Sequence, residues 1–214
     1  VIHNLLLAIF SGWTFYHAIP LFNDYILSDK QSAMSQEDVW NNTHMGALCI
    51  VFYVSKYYEF ADSWILVLKG YDPEFLQVYH HAGVVWSMYF ACKHHACYLI
   101  WLVTLNSFIH TIMYIYFACR AHFGAEGNPL GFFKPFMTGM QISQFLIGIV
   151  GCGMDYFKES VNDDQKRSIA LMQIYVVGLI YLFSQMFKKN YVDKPKDDSA
   201  APVTRSSKKG GKGN

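Results

Sequence analysis

Hydrophobic residues occur along the chain in long runs that are separated by short polar stretches. We place six such runs at 1–22, 46–68, 75–91, 97–119, 134–157 and 169–187. The runs are too long for strands and lack strict alternation, so they predict helices, and several approach the roughly 20 residues that cross a bilayer. The pattern therefore predicts an all-α fold, a polytopic bundle of six transmembrane helices.

The two ends of the chain differ from one another. Residues 191–214 are rich in Lys, Asp, Ser, Gly and Pro, which predicts a disordered basic tail behind a membrane domain at 1–190. At the other end, Val1 already opens an apolar run, which lacks the charged n-region and the cleavage site of a signal peptide. We therefore expect the domain to be truncated at its amino terminus.

Composition narrows the class of protein further. The apolar fraction is 53% of 214 residues, and the charged fraction of 15% is well below the usual ~25% of soluble domains. The net charge of +1 gives no basic field over the body of the chain, so we expect no nucleic-acid partner. The five Cys form no Cys-x-x-Cys pair, and they predict neither disulfides nor a zinc site.

The basic residues predict how the six helices are oriented. If both ends of the chain lie on one side, that side carries Lys69, Arg120, Lys134 and the eight basic residues from Lys188 onward. The opposite side carries Lys30, Lys93, Lys158, Lys166 and Arg167. The positive-inside rule then places the tail in the cytosol. The triplet at Asn41 would be a lumenal glycosylation sequon, a match that also arises often by chance.

Polar residues interrupt the apolar runs in four clusters. Ionisable groups inside a membrane are costly, and they usually face a cavity or one another. The clusters are Lys56-Glu59-Asp62-Ser63, Gln77-His80-His81, Asn106-His110-Tyr114 and Thr138-Gln141-Gln144. Steps of three or four residues bring the members of each cluster to one side of a helix.

Each cluster has both a functional and a structural interpretation. The first could be an internal ion pair that lets helices pack, and the last could join helices by hydrogen bonds. In the third, Asn106 lies one turn before His110 and could fix the tautomer of its imidazole. Six histidines outside the clusters have no assigned role, namely His3, His17, His44, His94, His95 and His122.

In this order, the four clusters resemble the motifs of the very-long-chain fatty acid elongases. Those motifs are Lys-x-x-Glu-x-x-Asp-Thr, His-x-x-His-His, Asn-x-x-x-His-x-x-Met-Tyr-x-Tyr-Tyr and Thr-x-x-Gln-x-x-Gln-Phe. The resemblance runs from about residue 4 to residue 190. This chain has Ser63 for the Thr, Phe117 for the last Tyr and Gln77 for the first His of the box. A Gln-x-x-His-His box also occurs in algal and protist members that elongate polyunsaturated acids.

The resemblance implies a bundle of seven transmembrane helices, six of which enclose a narrow acyl tunnel. The first of the seven would lie upstream of Val1. It also implies a membrane condensing enzyme that joins a long-chain acyl-CoA, here a polyunsaturated one, with malonyl-CoA and releases CO2 and CoA. It implies no cofactor or metal in addition to these two substrates. A narrower chain-length preference does not follow from the motifs.

The resemblance also implies a role for each motif residue. His80 would take the acyl group, and His81 would orient or deprotonate His80. His110, with Asn106, would polarise the malonyl thioester. Gln77, Tyr114, Gln141 and Gln144 would support these groups, and Lys56, Glu59 and Asp62 would organise the cavity near the CoA entrance. Basic residues on the cytosolic face would receive the CoA phosphates, namely Lys69, Arg120 and Lys134.

The resemblance implies an endoplasmic reticulum membrane and the other enzymes of the elongation cycle, reductases and a dehydratase, as partners. Whether the protein forms a homodimer is left open by the sequence. Alternatives are a di-iron membrane desaturase or hydroxylase, whose histidine boxes are more numerous than those here, and an elongase-like lipid-binding protein in which Gln77 marks weakened catalysis. A transporter is a further alternative that no motif specifically supports.

Overall fold

The computed structural model describes residues 1–28, 34–124 and 126–193, and none of these residues is in a β-strand. Eight α-helices form in this part of the chain. They are α1 (Ile2–Phe22), α2 (Gln36–Asn42), α3 (Met45–Tyr58), α4 (Phe60–Leu68), α5 (Phe75–Lys93), α6 (Leu99–Phe123), α7 (Lys134–Tyr156) and α8 (Asp163–Phe187). Short π-helical turns at Asn23–Leu27 and Lys188–Val192 extend α1 and α8, and a 3-10 turn at Gly131–Phe133 precedes α7. The all-α prediction is confirmed.

The predicted runs agree with these helices, apart from three details. The run 46–68 is divided into α3 and α4 at Glu59, whose backbone stays in the right-handed helical region (φ −63°, ψ −17°). Helix α8 begins six residues before the predicted run, because Asn162 and Gln165 form a capping box at its start. The short helix α2 lies inside the predicted polar loop, where the Ser35 side chain accepts from the Asp38 N–H.

Four helical stretches of the described chain are long and apolar enough to cross a membrane. They are Ile2–Leu27, Leu99–Phe123, Gly131–Tyr156 and Asp163–Val192. The predicted second and third spans are helical but fall short of this measure, because α3 and α4 have 14 and 9 residues and α5 carries the polar residues of the second cluster. Lys30 and the predicted tail from residue 194 onward lie outside the described residues.

The long helices close into a ring. In order around the ring, α1 packs on α6, α6 on α7, α7 on α8, α8 on α5, α5 on α3, and α3 again on α1. Large apolar side chains such as Ile9 (69% exposed) and Ile174 (72% exposed) point away from the ring, as expected of a surface that faces lipid. All five Cys are free.

The two ends of the ring are built differently. One end has a continuous apolar core, in which Met88, Leu99 and Ile100 are fully buried. Beyond this core lies a group of buried hydrogen-bonding side chains, which we call the distal cluster (Tyr25, Gln36, Cys97, Gln165). The opposite end holds a cavity, so the fold concentrates open space and polar groups away from the apolar core.

Candidate functional site

A cavity of about 660 Å³ occupies one end of the helix ring. Its volume lies within the range of about 300–1,000 Å³ that is typical of small-molecule sites. The cavity is lined by most of the predicted site residues, namely Glu59, Asp62, Gln77, His80, His81, Asn106, His110, Tyr114, Arg120, Lys134, Gln141 and Gln144. Four sequence clusters that are far apart in the chain therefore meet around one space.

Two predicted site residues do not line the cavity. Lys69 follows the end of α4 and is exposed to the outside. Lys56 is buried behind the wall, where its Nζ lies 2.7 Å from Glu59 Oε1, 3.0 Å from Asn106 Oδ1 and 4.0 Å from the centre of the Phe52 ring. Lys56 therefore supports the wall, and Lys69 is not placed to contact a ligand inside the cavity.

Three histidines from two helices meet at the centre of the site. The ring centres of His80 and His81 on α5 are 5.3 Å apart, and the His80 ring lies 6.4 Å from that of His110 on α6. The Phe60 ring covers His81 at 5.7 Å. His81 Nδ1 and His110 Nδ1 are buried, and neither has a hydrogen-bond partner among the described residues. These two nitrogens are thus unpaired in the described part of the protein, and all three imidazole side chains line the cavity.

The position of His80 is set by the contact between α5 and α8. The Tyr175 hydroxyl donates to the carbonyl oxygen of His80 (2.9 Å), and the Tyr79 hydroxyl donates to the carbonyl oxygen of Tyr175 (3.2 Å). The Tyr175 ring occupies the space that a side chain at Gly83 would need, and Tyr79 does the same at Gly178. Two glycines thus let the helices approach closely and fix their register. Sequence spacing does not predict this contact, because Tyr79 and Tyr175 lie 96 positions apart in the chain.

The structure pairs Asn106 differently from the sequence-based expectation. Asn106 Oδ1 accepts from Lys56 Nζ and not from His110. The nearest acidic group to His110 is instead Glu59, whose Oε1 lies 3.8 Å from His110 Nδ1. The second carboxylate oxygen of Glu59 is buried without a partner in the described chain. Lys56, Glu59 and Asn106 therefore form one network behind His110.

A second network joins three helices and includes a histidine that the sequence left unassigned. His3 Nε2 on α1 lies 2.7 Å from Asp62 Oδ1, and the Tyr114 hydroxyl donates to Asp62 Oδ2 over 2.8 Å. All three residues line the cavity. His3 could not be found from spacing, because no other polar member of a cluster lies one turn away on α1.

The remaining amides of the wall make few contacts. Gln77 Nε2 donates to Ser63 Oγ (3.0 Å), and Gln141 Nε2 lies 3.5 Å from the sulfur of Met113. Gln144 is buried, and its Oε1 has no partner among the described residues. All three amides line the cavity, and Gln144 has an oxygen that no described residue pairs.

The mouth of the cavity carries charged residues of both signs. Arg120 at the end of α6 and Lys134 at the start of α7 are exposed, and Asp72 and Glu74 lie in the connection before α5. The inner end is lined by the buried rings of Phe145 and Phe183 and by the buried amide of Gln144. The cavity thus leads from a charged, solvent-facing opening to a largely apolar inner end.

The described residues contain no group of three or more His, Cys, Asp or Glu side chains that could hold a metal ion. A di-iron centre needs histidine ligands from several separated boxes. The described residues around His80, His81 and His110 do not supply such a donor set.

Comparisons with known proteins point to one family. A family model described as the GNS1/SUR4 family (ELO) matches residues 1–199. Fatty acid elongase 2 of Trypanosoma cruzi is 29% identical over 224 residues, covering 97% of this chain and 77% of that protein. Fatty acid elongase sre1 of Dictyostelium discoideum is 32% identical over 213 residues, covering 93% and 73%. No solved structure matches the chain with significant similarity.

A further Dictyostelium discoideum relative is 32% identical over 166 residues, which is 74% of this chain and 53% of that protein. The chain thus spans from 53% to 77% of the length of these three relatives. Together with the family match, the four candidate spans identify the chain as a multi-pass membrane protein.

Proposed function

The chain belongs to the GNS1/SUR4 family, and on this basis we propose that it condenses a long-chain acyl-CoA with malonyl-CoA in fatty acid elongation. The observation that carries the proposal is the meeting of His80 and His110, from two helices, in one cavity that combines a charged mouth with an apolar inner end. A thioester with a long apolar tail and a phosphorylated carrier matches both ends of this cavity.

The reaction would proceed in two steps. A ring nitrogen of His80 attacks the acyl thioester carbon, and the C–S bond breaks. The proton of the second His80 ring nitrogen passes, directly or by way of His81, to the departing thiolate, so that CoA leaves as the thiol. Malonyl-CoA then loses CO2, and the resulting enolate carbon forms a C–C bond with the acyl carbon while the bond to His80 breaks. The released imidazolate takes one proton from solvent, and the products are 3-oxoacyl-CoA and regenerated His80. His81 would also orient His80, and His110 would stabilise the developing enolate oxygen.

The surrounding residues have supporting roles in this proposal. Asn106, Glu59 and Lys56 form the network behind His110, and Arg120 and Lys134 are the basic groups at the mouth that would receive CoA phosphates. Lys69, which does not line the cavity, has no place in this scheme. Gln77 retains its hydrogen-bonding capacity but cannot carry a proton near neutral pH.

The finer features of the proposal come from the family resemblance. We propose polyunsaturated acyl-CoA as the substrate class, because Gln77 opens the Gln-x-x-His-His box. The proposed location is the endoplasmic reticulum membrane with a cytosolic carboxyl terminus, where reductases and a dehydratase would process the product. A panel of fatty acids fed to yeast expressing the protein tests the substrate class by the chain lengths and double bonds of the products.

A single-turnover experiment tests the chemistry. Purified protein is mixed with acyl-CoA in the absence of malonyl-CoA, and free CoA is measured. We expect one equivalent of CoA for each active site, and no release by the His80→Ala variant. His17→Ala is the matched control, because His17 is exposed on α1 and does not line the cavity. Protein that makes 3-oxoacyl-CoA from both substrates but releases no CoA without malonyl-CoA would contradict the acyl-histidine step.

A further inference from the structure

His3, Asp62 and Tyr114 form a chain of hydrogen bonds along one wall of the cavity. The Asp62 carboxylate is at the centre, with His3 on one oxygen (2.7 Å) and the Tyr114 hydroxyl on the other (2.8 Å). The hydroxyl of Tyr58 lies 3.3 Å from the other ring nitrogen of His3. These hydrogen bonds join α1, α3, α4 and α6, and of the four residues only Tyr58 does not line the cavity.

The chemistry of these groups fixes the direction of every hydrogen bond. An ionised carboxylate only accepts, so both His3 Nε2 and the Tyr114 hydroxyl must donate to Asp62. If His3 is neutral, its Nδ1 is an acceptor, and the Tyr58 hydroxyl is the donor that it faces. A neutral His3 in one tautomer therefore matches all of its neighbours.

This arrangement fixes the side chain of Tyr114. Its single proton is committed to Asp62, so the hydroxyl oxygen is held at one place and keeps its lone pairs free. The Tyr114 ring in turn packs edge-on against His110, with ring centres 5.5 Å apart and an interplanar angle of 79°. Because His110 Nδ1 has no hydrogen-bond partner in the described chain, ring packing is a main constraint on the orientation of this imidazole.

We propose that His3 is a positioning residue for the condensation step: through Asp62 it fixes Tyr114, and through Tyr114 it fixes the imidazole of His110. This inference rests on the function proposed above. His3 is on a different helix from His80, and no contact among the described residues joins the two directly. The series of contacts reaches His80 only beyond His110, whose ring lies 6.4 Å from that of His80, so we expect the effect mainly in the step that uses His110.

Two variants at position 3 test the inference by separating the two half-reactions. Release of CoA without malonyl-CoA reports the first step, and formation of 3-oxoacyl-CoA from pre-acylated enzyme reports the second. His3→Leu should slow the second step by about tenfold or more, because small displacements of a reacting group are costly, and leave the first step unchanged. His3→Gln keeps an N–H that reaches Asp62, and it should recover most of the lost rate.

Tyr114→Phe, alone and combined with a change at position 3, provides a second test. This test can still be made with His3→Gln if His3→Leu does not fold. Tyr114→Phe keeps the ring and removes the hydroxyl, and we expect the same selective loss in the second step. If both residues act through the same series of hydrogen bonds, adding His3→Gln or His3→Leu to Tyr114→Phe should not slow the second step any further. Fully additive effects would contradict the inference.

The outcomes also distinguish this inference from the proposed function. If the active wild-type protein releases no CoA without malonyl-CoA, the acyl-histidine step is wrong. If the wild-type protein does release CoA but His3→Leu slows both steps equally, only the role of His3 is wrong. A His3→Gln variant that is as slow as His3→Leu would likewise contradict the positioning role.

Discussion

Buried glutamines at the two ends of the helix ring use their side chains in different ways. In the distal cluster, Gln36 Oε1 accepts from the Cys97 N–H (2.9 Å) and its Nε2 donates to the Tyr25 hydroxyl (2.6 Å). In the cavity wall, Gln144 Oε1 is buried but has no partner among the described residues. The two side chains have the same chemistry and similar burial, and they differ in whether the protein itself uses them.

The second glutamine of the distal cluster repeats the pattern of the first. Gln165 donates to the carbonyl of His94 (3.0 Å) and accepts from the Asn162 N–H (3.0 Å). Together the two glutamines hold the turn between α5 and α6, in which His95 adopts a positive φ of 52° and stacks on Trp40. In the same turn, burial raises the pKa of the Cys97 thiol to about 12, and this thiol donates to the Gln36 carbonyl.

The difference teaches how to separate structural from functional polar groups in one membrane protein. A buried group whose partners are all in the protein stabilises the fold, and losing it leaves other groups unpaired. A buried group in a cavity wall with an unpaired atom costs stability, which is expected of a group that serves binding. Substitutions in the distal cluster should therefore affect stability, and those in the cavity wall should affect activity.

The largest effect is expected from Gln36→Leu. Leucine keeps the volume but leaves the Cys97 N–H and the Tyr25 hydroxyl buried without their partner, at a cost of about 3 kcal/mol in the free energy of unfolding. The activity per folded molecule should be retained. Thermal unfolding in detergent measures the loss, with the exposed residue change Gln185→Leu as the control. An unchanged unfolding midpoint would contradict the structural role.

Gly83→Ala should lower both the stability and the activity of the protein. The added methyl group meets the Tyr175 ring, which must move and so releases its hydroxyl from the His80 carbonyl. We expect a loss of about 2 kcal/mol in stability together with lower activity per folded molecule. Gly139→Ala is the matched control, because its Cβ would meet open space. Lower stability with full activity would show that the α5–α8 contact does not position His80.

Gln144→Leu should affect activity and not stability. The unpaired Oε1 is removed from the wall, so the free energy of unfolding should stay constant or rise by about 1 kcal/mol. The rate of product formation should fall by about tenfold, the equivalent of one lost interaction of 1.4 kcal/mol. Parallel unfolding and turnover measurements check both parts. A clear loss of stability would place Gln144 with the distal glutamines.

The smallest effect is expected from Gly148→Ala on α7. Gly148 lines a small hollow of about 20 Å³ that shares Gln144 and Phe145 with the inner end of the cavity. Its Cβ would meet open space, and alanine favours the helix, so stability should rise by about 0.5–1 kcal/mol. The larger Gly148→Leu should also shift the products to shorter chains. Unchanged product lengths would show that the hollow does not extend the acyl site.

The sequence predicted much of the site because its signal was local. Polar residues at steps of three or four in apolar runs identify one face of a helix, and the Lys56–Glu59 ion pair was predicted in this way. His3 and Tyr175 were missed because their partners lie 59 and 95 positions away in the chain. Asn106 was assigned to a neighbour four residues away, but tertiary packing brings Lys56 to its oxygen instead.

The ends of the helices were predicted less well than their centres. Apolar periodicity located the middle of every long helix, but it placed the start of α8 too late, because the polar first turn is stabilised by the Asn162 cap. Lys69 was assigned to the CoA site from its charge and its expected cytosolic side, and no sequence pattern indicates that this exposed residue at the end of α4 does not line the cavity. Local patterns predict helix faces, whereas the direction of a side chain at a helix end depends on the assembled ring.

The paired contacts of Tyr79 with Gly178 and of Tyr175 with Gly83 also limit how this protein can evolve. Any enlargement at either glycine needs a simultaneous reduction at its tyrosine, so the α5–α8 side of the ring changes only by coupled substitutions. On α7, Gly139 and Gly148 border open space, and single substitutions there meet no such barrier. Lineages that diversified the depth of this cavity would therefore accumulate their differences on α7, while α5 and α8 stayed nearly constant.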